Sequence, residues 1–279
     1  MFQNLPNLVI DWDFFLFTRR DSMAFQHFSL FCDKLKIKMK KTIVAIVALT
    51  TLMACTKNES KDNLHLTGNI VGLKEGKLYI QRLKETTLVT VDSITINGDS
   101  KFETDIPLTS PEMFYLSLNR GVSNSLDNNL IFFAEPGNIT IETNLDEFSY
   151  GAKVTGSVNH DLYEEFKKIN SQFKDENLTI IEQKFKATKF NNQKKLDSLI
   201  AKEESNIKRR YLYATNFAVN HRDHEVAPYI ALSEIYDINI KFLDTIQKSM
   251  TPKVAQSMYG KKLTTFVNKI KKDEGVQQQ

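Results

Sequence analysis

The chain has 279 residues, 41% of them hydrophobic and 25% charged, proportions usual for a soluble globular protein of one large or two ordinary domains. Its formal net charge of +3 comes entirely from residues 1–54, which hold seven of the 37 basic and four of the 34 acidic side chains and so leave 30 of each for the remainder. That balance removes the compositional argument for a nucleic-acid partner, because no overall field draws the rest of the chain to polyanions.

Residues 1–38 carry seven of the 19 phenylalanines and the only tryptophan, Trp12, without helical or strand periodicity. They read as a mis-assigned upstream extension or a discarded leader, outside the fold. From Met39 the pattern changes. Lys40 and Lys41 precede the apolar run Thr42 to Met53, which is shorter than the roughly 20 residues a spanning helix needs and has the form of a secretory signal. It ends in Leu52-Met53-Ala54-Cys55, which resembles the lipobox cut by lipoprotein signal peptidase. The resemblance implies cleavage between Ala54 and Cys55 and a diacylglycerol thioether on Cys55, the anchor to a membrane. Residues 39–54 are thus expected to be the signal peptide and 55–63 a polar tether. Thr56 stands where an aspartate would resemble an inner-membrane retention signal, so the outer membrane is the expected location. Cys32 and Cys55 are the only cysteines, and their loss to the leader and to lipid would leave no free thiol, disulfide or cysteine metal site.

Residues 64–155 alternate in short β-type runs. Leu64 to Val71, Lys77 to Leu83 and Thr87 to Ile96 come first, then Asn97-Gly98, a pair suited to a tight turn with positive φ. Lys101 to Ile106 is predicted as the return strand. After Pro107 to Pro111 follow Met113 to Asn119, a polar loop from Gly121 to Asn129, Leu130 to Ala134, the Pro136-Gly137 turn, and Asn138 to Thr143 with Ile139 and Ile141 inward. Seven or eight strands without intervening helices predict an antiparallel β-sandwich-like domain.

Beyond Gly156 the period becomes helical, so the whole is an α+β chain with a helical region over 156–272 and a polar tail over 273–279. Leu162, Phe166, Ile169 and Phe173 share a helix face, with Asn159 as the expected N-cap. Leu196 to Phe217 predicts a longer helix ending near Asn220. Pro228 suits a first turn, Thr251-Pro252 an N-cap with proline at N1, and Leu263, Phe266, Val267 and Ile270 line the last helix.

Three groups of residues carry a family resemblance: Gly76-Lys77-Leu78-Tyr79-Ile80, Val91-Asp92-Ser93 leading to Gly98 and Phe102, and Phe132-Phe133-Ala134-Glu135-Pro136-Gly137-Asn138-Ile139. Together they resemble the uncharacterised β-rich domain found in lipoproteins of Bacteroidetes-type bacteria upstream of thioredoxin-like modules in thiol-disulfide interchange proteins. The likeness continues through Gly156-Ser157-Val158-Asn159, Pro228 to Tyr236 and Tyr259-Gly260-Lys261-Lys262-Leu263. In longer relatives a thioredoxin-like module with a Cys-x-x-Cys pair would begin about where this chain stops. No such pair occurs here, so the resemblance assigns redox chemistry to no residue.

Other patterns are weaker. His221-Arg222-Asp223-His224-Glu225 is rich in metal-ligand types, but its glutamate follows the second histidine directly, unlike the zinc-protease motifs. It reads as a solvated interhelical turn. His65 and His160 read as structural, and Phe114, Tyr115, Phe132 and Phe133 as core, with an exposed subset forming a ligand platform as the alternative. Asp92-Ser93-Ile94, Asp197-Ser198-Leu199 and Asp244-Thr245-Ile246 each match a short pattern resembling a bacterial O-glycosylation site. The sequence shows no phosphate-binding loop or nucleophile elbow, and no catalytic, cofactor or metal residue is assigned. The expected function is a non-enzymatic binding or interaction module on a membrane, with an envelope protein or small ligand as partner. An accessory subunit of a thiol-disulfide system with its cysteines on another chain is the alternative, and an enzyme ranks third.

Overall fold

In the computed structural model, which describes residues 63–119, 121 and 126–277, eight strands precede six α-helices among the described residues, with one 3-10 turn at Leu126–Asn128 between the fifth and sixth strands. Met39, Ala54, Cys55 and the tether up to residue 62 lie outside the described residues. The strands are β1 (Asn63–Val71), β2 (Glu75–Lys84), β3 (Thr87–Asn97), β4 (Lys101–Pro107), β5 (Glu112–Asn119), β6 (Asn129–Ala134), β7 (Gly137–Asn144) and β8 (Lys153–Thr155). They form two four-stranded sheets in the orders β4-β1-β7-β8 and β3-β2-β5-β6. All pairings are antiparallel except β1 with β7. The alternation of the sequence explains the packing. Leu64, Leu66 and Ile70 of β1, Leu78 and Ile80 of β2, and Ile139 and Ile141 of β7 are all buried in one core between the sheets, as a period of two residues requires.

The expected return strand behaves differently. Gly98 does adopt a positive φ of 89°, and its N–H donates to the Lys74 carbonyl at 2.7 Å. Yet β3 pairs with β2 and β4 pairs with β1, so Asn97-Gly98 carries the chain from one sheet to the other instead of closing a hairpin. The dipeptide supplies the reversal, but the sheet on which the chain lands is set by burial of Phe102 and Ile106 in the sandwich core.

The helices are α1 (Val158–Lys189), α2 (Gln193–Asn220), α3 (Val226–Ser233), α4 (Ile240–Ser249), α5 (Pro252–Gln256) and α6 (Met258–Gln277). A turn at Gly156 leads into α1. Its φ is 96°, and a Cβ there would lie 2.0 Å from the Asn138 carbonyl oxygen, so only glycine fits. The N-cap of α1 is Ser157, not Asn159: the Ser157 hydroxyl accepts the His160 N–H at 3.0 Å. Asn159 sits inside the helix and is buried. Thr251 and Pro252 occupy the N-cap and N1 of α5 as expected.

At β5 and the end of β6 the second sheet, β3-β2-β5-β6, is covered on both faces. Phe114, Leu116 and Phe132 point into the sandwich. Met113 and Phe133 point the other way, into a second core with Phe166, Phe217, Val226, Ile230, Leu243, Leu263 and Val267. The described residues are thus layered as sheet, sheet and helices. Helices α1 and α2 form a long hairpin, whose distal end holds a separate small cluster of Ile180, Ala187 and Leu199 drawn from those two helices alone.

Candidate functional site

A cleft of about 1000 Å³ opens where the sandwich meets the helices. Its walls are the segment before β5 (Thr109, Ser110, Pro111), the β6–β7 turn (Glu135, Pro136), the start of α1, the turn after α2, and α5 with the start of α6. Asn159 ties these walls together. Its Nδ2 donates to Glu135 at 2.7 Å and to Glu225 at 3.2 Å, while its Oδ1 accepts the Val226 N–H at 2.8 Å. Glu135 also accepts the Val158 N–H at 2.5 Å, a favourable place for a carboxylate because the first N–H groups of a helix lack internal partners and carry positive potential. Glu225 is only 3% exposed, and the Lys253 ammonium lies 3.8 Å from its carboxylate. On the opposite wall the Ser110 hydroxyl accepts the Met258 N–H at 3.1 Å.

An aromatic cluster joins β6 to α1, α3 and α6. Phe133, Tyr229 and Tyr259 meet edge to face, with ring centroids 5.0–6.0 Å apart, and Tyr163 joins Tyr229 at 5.5 Å. Burial pushes the Tyr229 hydroxyl up to about 12 and raises Tyr163 and Tyr259 as well. The Tyr259 hydroxyl accepts the Met113 N–H at 3.0 Å. His160 serves the sheet in a similar way. Strand β6 is an edge, and the His160 Nδ1 accepts its Phe133 N–H at 3.3 Å. This places the histidine proton on Nε2, toward Glu164 at 3.6 Å. Burial lowers the His160 pKa, against a smaller opposing pull from Glu164.

The His221 to Glu225 segment is the interhelical turn that its sequence suggests, but it is not wholly solvated. Asp223, His224 and Glu225 line the cleft, and the turn is fixed from outside by the Thr251 N–H, which donates to the Arg222 carbonyl at 3.1 Å. Among the described residues no group of three or more His, Cys, Asp or Glu side chains is arranged to hold a metal. His65 lies on the outer sheet face beside Asp105 at 2.8 Å and Glu103 at 3.5 Å. Phe114, Phe132 and Phe133 are fully buried and Tyr115 is half-buried. Ser93, Ser198 and Thr245 of the three Asp-Ser/Thr patterns are all exposed, the last two within α2 and α4.

Sequence reading missed the roles of Glu135, Asn159 and Lys253. A signal was present: three segments that carry the resemblance, around Glu135-Pro136, Val158-Asn159 and Lys261, are distant in the chain yet converge on this cleft. What the cleft offers chemically is a mixed set of carboxylates, amide and ammonium groups already engaged with one another, a pattern suited to recognising a polar or doubly charged group by exchange of those bonds. No curated protein and no solved structure matches the chain. Residues 64–163 match the family model described as "Domain of unknown function (DUF4369)", so the sandwich together with the start of α1 is similar to that uncharacterised domain.

Proposed function

We propose that this is an envelope lipoprotein, held to the outer membrane through Cys55, that binds a protein or small polar ligand without transforming it. The cleft between sandwich and helices carries the binding half of this reading, because its polar groups converge from five chain segments and its shape is concave. The anchoring half is supported by the register of Lys40, Lys41, the apolar run, Ala54 and Cys55 in the sequence.

Two measurements test the reading separately. Metabolic labelling with a fatty acid should mark the wild-type chain and leave Cys55→Ala unmarked, and labelling that survives the substitution removes the anchor. For the cleft, Gln256→Trp fills space at an exposed lining position. Crosslinked partners recovered from the native envelope should be lost from this variant while the fold persists, and an unchanged partner set removes the cleft from the function. Recovery of a partner with a Cys-x-x-Cys pair would narrow the reading to an accessory subunit of a thiol-disulfide system.

A further inference from the structure

The tip of the α1–α2 hairpin combines basic charge with exposed aromatic rings. From Gln183 to Leu196 there are five lysines and no acidic residue. Lys184 is turned inward to Glu203 and Lys186 pairs with Glu182 one turn back, while Lys189, Lys194 and Lys195 are exposed beside them. Among them stand two phenylalanines with almost no cover, Phe185 at 74% and Phe190 at 73% exposed. Phe190 caps the end of α1 and Asn191 follows with a positive φ of 50°, so the chain reverses directly behind the ring and presents it at the apex. The Lys189 ammonium lies 5.9 Å from the Phe190 ring centroid.

Large apolar side chains at such exposure cost free energy in water unless a partner covers them. The 32 residues of α1 make a rod of about 48 Å at 1.5 Å per residue, and this apex stands at the far end from the sandwich. We propose that the hairpin tip is a second membrane contact, in which Phe185 and Phe190 enter the interface of a bilayer while Lys189, Lys194 and Lys195 meet anionic headgroups. The charge pattern fits that partner, since lysines flanking a buried ring reach back to the headgroup plane with their flexible stems. A single-stranded nucleic acid is the poorer fit. Stacking platforms of that kind track the backbone along a groove, and this surface is a convex apex.

A chain beginning at Glu59 tests the proposal apart from lipidation, because it lacks Cys55 and keeps both buried cores, and Glu59–Gln279 is one compact unit. It should cosediment with vesicles of equal parts phosphatidylglycerol and phosphatidylcholine, release on raising salt, and ignore vesicles of phosphatidylcholine alone. The Lys194→Ala/Lys195→Ala pair should weaken binding about twentyfold, given a factor of about five per lysine near an anionic surface. The Phe185→Ser/Phe190→Ser pair should weaken it at least as much with an unchanged melting temperature. Trp12 is the only tryptophan of the chain and is absent from this protein, so Phe185→Trp gives a lone reporter whose emission should shift to the blue with anionic vesicles. Absence of binding to anionic vesicles, or binding indifferent to both pairs, overturns the proposal. So does displacement from vesicles by a single-stranded oligonucleotide at equal charge, or loss of a dimer in the phenylalanine pair, which would make the tip a self-association surface. Failure of Cys55 labelling would leave this result untouched.

Discussion

The two buried cores are built on different terms. The sandwich core is aliphatic with four phenylalanines, Phe102, Phe114, Phe132 and Phe148, and it closes on itself because two sheets with alternating side chains need only each other. The helical core is edged by partly buried tyrosines and is completed by the sheet, which lends it Met113 and Phe133. Polar bridges then fix how the layers meet, through Asn159, His160 and Tyr259. An apolar face can slide on another, whereas a buried hydrogen bond is satisfied at one position only. The junction therefore defines the cleft, and the sandwich provides the platform.

Adjacent residues allow that difference to be broken at its largest scale. Phe132 points into one core and Phe133 into the other, both fully buried, and each change to Ala should cost about 3–5 kcal/mol. Phe132→Ala should lower amide protection throughout. In Phe133→Ala, exchange should accelerate in α1, α3 and α6 while β1, β4 and β7 keep their protection. Equal loss across both regions would show that the cores unfold as one.

A smaller effect is expected at the junction itself. Asn159→Leu leaves the Val226 N–H and the carboxylates of Glu135 and Glu225 short of partners, and should cost about 2–3 kcal/mol in urea unfolding. A neutral outcome would mean that the polar bridge is dispensable. The smallest effect is a dependence on pH. Burial holds the His160 pKa below its ordinary value, so the unfolded chain takes up this proton first. Stability should be full above the unfolded value of about 6.5 and decline as pH falls from there toward the folded-state pKa. His160→Gln, which keeps a side-chain acceptor for the Phe133 N–H, should flatten that part of the profile.

The sequence by itself determined the elements. Alternation over 64–155 marked the strands, the change of period after Gly156 marked the helices, and Asn220, Gly98 and Thr251-Pro252 marked ends and turns, because each of these is decided within a few residues by backbone sterics and local burial. Partnership was decided only by the tertiary structure. Nothing local to β3 and β4 says that they belong to different sheets, or that β1 runs parallel to β7, since a period of two defines faces and not neighbours. Asn159 looked like a cap because it begins a helical pattern, and it became a bridge because Glu135 and Glu225 arrive from 24 and 66 residues away. The cleft was legible only as three scattered segments of the resemblance, because its walls come from separate parts of the chain which the packing of helices on a sheet brings together.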